Sequence, residues 1–112
     1  PSIQLALAAD ILAAVADYKA QNGFPRITVG FAAESQALLE NAQAKLVKKK
    51  LDLIVANDIS ARDAGFAVDE NRVTLLDAAG GVEPLPLMSK TKVAEAVLAR
   101  LVTLLTASDQ PL

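Results

Sequence analysis

Gly30-Phe31-Ala32-Ala33-Glu34 and Asn57-Asp58 are the segments best suited to holding a ligand, because each closes a run that reads as a strand. Ile27, Val29 and Phe31 alternate with Thr28 and Gly30. Leu51 to Ala56 is apolar except for Asp52, as expected of a parallel strand covered on both faces. In an open parallel sheet ligands sit outside the carboxyl ends of the strands. Gly30, Ala32, Ala33 and Glu34 are therefore expected to share one rim with Asn57 and Asp58, with the chain turning into a helix at Gly30 to Ala33. A second candidate is Ala9-Asp10-Ile11-Leu12, at the start of a predicted helix, whose unpaired N–H groups would favour phosphate oxygens. On sequence alone the plainer reading of Asp10, as an N-cap, is the favoured one. Lys45 and Lys49 lie on one face of the intervening helix, within a group of four lysines at positions 45–50. That group is also what a helix C-terminus prefers, so it reads as a solvated basic end.

The elements that must position these residues follow from periodicity. Ala8, Ile11, Leu12, Val15 and Tyr18 or Lys19 fall on a 3.6-residue period, and Asn22-Gly23 followed by Pro25 ends that helix. The crossover helix is expected from Glu34 to Lys50, with Leu38, Leu39, Ala42 and Leu46 buried. At about 1.5 Å per residue this start puts Lys45 roughly 16 Å from the rim. Residues 59–69 have no period and read as a long loop, mobile or functional. Arg72 to Leu76 is a strand, Asp77 to Gly81 a turn, and Val82 to Leu87 a returning arm. Pro84 and Pro86 confine that arm to an edge. Ser89 caps a last helix, Lys90 to Thr106, with Val93, Val97, Leu98, Leu101, Leu104 and Leu105 as its packing stripe. The fold class is α/β, a Rossmann-like three-layer arrangement with a mixed, mainly parallel sheet, helices on both faces and a C-terminal β-hairpin.

Composition narrows the chemistry. The 112 residues suffice for a single domain with one core. There is no His and no Cys, which excludes a Ser-His-Asp triad, a thiolate zinc site and a disulfide framework. A formal net charge of −2 offers no field for a nucleic-acid backbone. No apolar run reaches the roughly 20 residues of a membrane span, and no leader pattern is present, so a cytoplasmic domain is expected. Neither a Walker loop, a GxGxxG element nor an internal repeat occurs. Ile3 to Leu7 already alternates like a strand directly after Pro1, as in a fragment, although removal of an initiator methionine would also leave Pro1 first.

Gly30 to Glu34, Lys45, Lys49, Leu51 to Asp58, Gly65-Phe66, Asp69-Glu70-Asn71, Val73-Thr74-Leu75 and Met88-Ser89-Lys90 together resemble bacterial phosphopantothenoylcysteine synthetase nearly end to end. In bacteria this ligase is usually the carboxyl-terminal half of a bifunctional coenzyme A biosynthesis protein, historically labelled a DNA/pantothenate metabolism flavoprotein. The resemblance implies activation of 4′-phosphopantothenate by CTP with Mg²⁺, through an acyl-cytidylate, followed by attack of cysteine to form the amide. It also implies a homodimer, and FMN only in the decarboxylase half. Carried over by position, Ala9, Asp10, Ile11, Leu12, Phe31, Lys45 and Lys49 match the family's nucleotide-binding residues, with Ala9 standing where the family has Pro. The resemblance further implies that the family's amino-terminal lobe, with its glycine-rich segment and KxKK motif, lies outside this chain, which alone is then inactive. Ala13-Ala14-Val15-Ala16-Asp17 spells the family's AAVAD motif but lies inside the helix after Asp10, and is rejected as that motif. The alternative function is a stand-alone nucleotide-binding or interaction module without catalysis.

Overall fold

A computed structural model describes residues 13–60 and 70–109 of the chain. Within it a helix, α1 (residues 13–22), leads to β1 (Val29–Glu34), α2 (Leu38–Lys48), β2 (Leu53–Asp58), β3 (Glu70–Asp77), β4 (Val82–Pro84), β5 (Met88–Ser89) and α3 (Lys90–Asp109). The sheet order is β1-β2-β3-β4, with β5 on the end of β3 that β4 leaves free. β1 and β2 pair in parallel, whereas β2–β3, β3–β4 and β3–β5 are antiparallel. The sheet is thus mixed, with its parallel pairing confined, among the described strands, to β1–β2. Residues 3–7, read as a strand, 9–12, and most of the long loop (61–69) lie outside the described residues.

β2 is the dry centre. Leu53, Ile54, Val55 and Ala56 are all buried, and their alternation feeds two cores. Ile54 and Ala56 join Leu51, Leu76 and the α2 residues Ala42 and Leu46 on one face. Leu53 and Val55 join Val73, Leu75, Leu85 and the α3 residue Val97 on the other. Asp52, the polar exception in this run, lies outside the strand. Its Oδ2 accepts the Thr28 amide at 2.7 Å and pairs with the Lys19 ammonium, tying α1 to the entry of both parallel strands.

The crossover differs from expectation at its first joint. β1 continues through Glu34, and α2 starts only at Leu38, behind an Ala37 N-cap in the left-handed region (φ 47°). Pairing overrides local helix propensity here: Ala33 and Glu34 lie in register with Asn57 and Asp58, and the Ile59 amide donates to the Glu34 carbonyl at 3.0 Å. Gly30 is therefore mid-strand, opposite Ile54, and not at a turn. A Cβ there would stand 2.5 Å from a Leu51 methyl, so the close approach it permits is to the core. The helical stripes are narrower than predicted. Leu38, Ala42 and Leu46 form the α2 seam and leave Leu39 49% exposed; Val93, Val97, Leu101 and Leu104 form that of α3 and leave Leu98 62% exposed. Each exposed leucine sits about 100° round its helix from a seam residue.

The C-terminal half is closed by polar ties. Asp77 Oδ1 accepts the Ala79 and Gly81 amides at 2.9 Å, which shapes the β3–β4 turn. Arg100 donates to Asp77 Oδ2 at 2.9 Å and also pairs with Glu83, locking α3 to the hairpin. Ser89 Oγ accepts the Lys92 amide at 3.2 Å, the expected N-cap, and α3 runs on past Thr106 to Asp109. Leu53 is fully buried at the centre of this arrangement. Leu53→Ala should cost about 2–5 kcal/mol in urea denaturation, whereas Leu98→Ala should stay within about 0.5 kcal/mol of wild type.

Candidate functional site

At the carboxyl end of the parallel pair, on the face covered by α3, lies an open cleft of about 380 Å³. Phe31, Ala32 and Ala33 of β1 form one wall, and Val55 and Asn57 of β2 with Asn71 and Val73 of β3 form the floor. Lys90 and Val93 in the first turn of α3 close the other side. The β period explains the selection: Phe31, Ala33, Val55, Asn57, Asn71 and Val73 all point to one side of the sheet. The small side chain of Ala33 leaves the mouth wide. Phe31 is 75% exposed, so its ring is free to receive a flat partner in a setting of valines and amides. An apolar groove of about 470 Å³ runs on from Phe31 and Lys90 between β1 and α3, past Val29, Val97 and Leu101.

The same rim has a second, ionic side facing α2. Glu34 is only 7% exposed, and its Oε2 accepts from Lys45 Nζ at 2.5 Å. The late start of α2 makes this reach possible. Lys45 is seven residues into the helix, about 10 Å along it, and helical side chains lean toward the N-terminus. The 16 Å separation expected from a helix starting at Glu34 therefore does not hold. Asp58 lies in register with Glu34 on this face, and its Oδ1 accepts the Ser60 hydroxyl at 2.6 Å and amide at 2.9 Å. The Ser60 hydroxyl first, then its amide, and more weakly the charge of Arg72, hold the Asp58 carboxyl below its ordinary pKa against a small burial penalty.

The candidates from sequence are thus divided. Phe31, Ala32, Ala33 and Asn57 line the cleft, while Lys45 and Asp58 lie on the α2 side of the same rim. Gly30 is mid-strand, and Lys49 is the C-cap of α2, beyond the end of the helix away from the rim. Ala9, Asp10, Ile11 and Leu12 lie outside the described residues. Asn71, Lys90 and Val93 escaped the sequence reading as site residues. Their period-2 and N-cap contexts are visible in the sequence, but their shared cleft depends on which strands are neighbours. Among the described residues no group of three or more acidic, His or Cys side chains could hold a metal, so none of them is assigned to a magnesium ion. No helix among the described residues is long and apolar enough to cross a membrane.

These features define an α/β domain with an open cleft at the carboxyl edge of a parallel strand pair. The model of the DNA/pantothenate metabolism flavoprotein C-terminal domain matches residues 1–105, and the chain belongs to that family. It is 41% identical over 103 residues to the coenzyme A biosynthesis bifunctional protein CoaBC of Bacillus subtilis strain 168, covering 92% of this chain and 24% of that protein. It is 35% identical over 95 residues to a cysteine/cysteine sulfinic acid decarboxylase of an unknown prokaryotic organism, covering 85% and 26%. Among solved structures, the C-terminal domain of a CoaBC protein superposes with a TM-score of 0.61 at 39% identity, over 70% of this chain and 37% of that one. The chain spans about a quarter of the length of these curated relatives.

The ionic side of the rim supports two predictions. Lys45→Ala strands the buried Glu34 carboxylate and should lower stability by about 1–2 kcal/mol, discounted because the lysine is partly solvated; Lys49→Ala should change it by less than about 0.5 kcal/mol. Denaturant titrations of both variants decide. For Asp58, whose folded-state pKa lies below the unfolded value of about 3.9, the stabilising contribution is present above that pH. It is lost as pH falls through the folded-state pKa. Carboxyl NMR titration should give a midpoint below the ordinary value, and Ser60→Ala should move it back up.

Proposed function

We propose that this chain is one wall of a ligase that joins 4′-phosphopantothenate to cysteine at the expense of CTP in coenzyme A biosynthesis, as the carboxyl-terminal part of a bifunctional protein. The observation that carries this reading is the cleft, with exposed Phe31 at its mouth, in a chain of this family at 41% identity to a coenzyme A biosynthesis protein. In the reaction the substrate carboxylate attacks the α-phosphorus of CTP, forming an acyl-cytidylate and releasing pyrophosphate. The cysteine amine then attacks the acyl carbon, CMP leaves, and the amine gives up its proton. A planar cytosine suits the Phe31 ring, and the Asn57 and Asn71 amides can both donate to and accept from its heteroatoms.

Of the two nucleotide-binding lysines that the resemblance implies, Lys45 is held at the rim by Glu34 and could exchange that partner for a phosphate oxygen. Ala9, Asp10, Ile11 and Leu12 complete the nucleotide site in this reading, and Mg²⁺ accompanies the phosphates. The active unit is a homodimer, and FMN belongs to another part of the bifunctional protein. A second reading, a stand-alone nucleotide-binding or interaction module without catalysis of its own, draws on the division of the candidates between two faces of the sheet, which leaves the cleft without a carboxylate among its described lining residues.

Ligation through an acyl-cytidylate needs nucleotide, carboxylate and amine held together, which supplies several kcal/mol of the barrier reduction. The 112-residue chain alone should therefore show no ligation. It should bind CTP with a Kd on the order of millimolar, about −4 kcal/mol, and move the amides of Phe31 and Ala9 to Leu12 first in an NMR titration. Phe31→Ala should abolish the shifts around the cleft. Turnover by the chain alone would overturn the reading of the chain as only one wall of the site, and shifts that bypass Phe31 would overturn the cleft as the nucleotide site.

A further inference from the structure

Lys90 is the one cation that lines the cleft among the described residues, and no carboxylate lines it. Lys19, Lys45, Lys92 and Arg100 each engage a carboxylate, whereas among the described residues the Lys90 ammonium, like those of Lys48, Lys49 and Lys50 at the far end of α2, has neither a hydrogen-bond nor an ion-pair partner; of these four only Lys90 lines the cleft. Its ammonium is exposed to solvent, but its place in the helix is unfavourable for a positive charge. It is the first residue of α3, next to the Ser89 cap, where the helix dipole disfavours a positive charge, and no acidic residue stands in the first turn to offset it. An anion held beside Lys90 would offset that unfavourable placement and meet the helix N-terminus at the same time.

We propose that Lys90 forms the phosphate subsite of the cleft, its ammonium holding oxygens of the phosphate chain of a ligand whose ring lies against Phe31. The choice of a nucleotide as that ligand rests on the functional reading above; the anion subsite itself rests on Lys90 and the cleft. Lys92 supplies the internal control, because it shares the same helical turn and is likewise exposed, but is paired with Glu95 and does not line the cleft.

The test is NMR titration of the 112-residue chain with CTP, cytidine and inorganic tripolyphosphate at fixed ionic strength, for wild type, Lys90→Gln, Lys90→Arg and Lys92→Gln. Loss of one charge-assisted contact should weaken CTP and tripolyphosphate about tenfold in Lys90→Gln and leave cytidine unchanged. Lys90→Arg should retain most of the affinity, and Lys92→Gln all of it. Equal binding of CTP and tripolyphosphate by wild type and Lys90→Gln overturns the subsite, as does an equal loss of cytidine, which would mark a merely structural role. Absence of tripolyphosphate shifts at Lys90 and Val93 in wild type also overturns it. The nucleotide reading fails separately, with the subsite intact, if cytidine binds nowhere while tripolyphosphate still requires Lys90.

Discussion

The parallel pairing of β1 with β2 runs six residues deep, from Val29 opposite Leu53 to Glu34 opposite Asp58, and both ends of it are tied. At the entry, Asp52 takes the Thr28 amide and the Lys19 ammonium; at the exit, the Ile59 amide closes on the Glu34 carbonyl. A slip of one residue would turn Phe31 into the α2 core and Ala32 out toward α3, because side chains alternate with a period of two. Register therefore decides what the rim is made of. Burial on both faces of β2 makes a slip expensive, since each of its four buried apolar side chains would change cores.

From that register the rim acquires two unlike faces. Toward α3 it is apolar and amide-lined, roomy because Ala33 is small, and open to solvent at Phe31. Toward α2 it is ionic, with Glu34 and Asp58 side by side and Lys45 reaching back to neutralise the buried carboxylate. The α3 wall is held from the far end. Arg100 clamps the helix to Asp77 and Glu83, so the first turn, with Lys90 and Val93, is presented to the cleft by a helix that cannot roll freely.

Much of this was legible in the residue order. The strand-helix-strand unit, the hairpin around Asp77 to Gly81 with its proline-bearing edge arm, and the Ser89 cap follow from period and turn chemistry, which act over a few residues and are written locally. Family membership was legible too, because several short motifs recur in order along the chain. Where β1 ends was not. Glu34-Ser35-Gln36 has the look of a helix start, and only the ladder to Asp58, more than twenty residues on, keeps Glu34 in the strand and the helix from starting before Leu38. Leu39 and Leu98 fit a broad apolar stripe by spacing, yet each seam is a single row because each helix covers one strip of sheet.

The sequence by itself determined the elements, their order and the residue types at the strand ends, since these depend on local propensity and on burial averaged over a few residues. The tertiary structure alone decided which of those residues meet: that Phe31 and Lys45 lie on opposite faces, that Lys45 finds Glu34, and that Asn71 and Lys90 join Phe31 and Asn57 round one cleft. Those meetings depend on strand order, register and helix start, which are set by packing between segments far apart in the chain and carry no local signature.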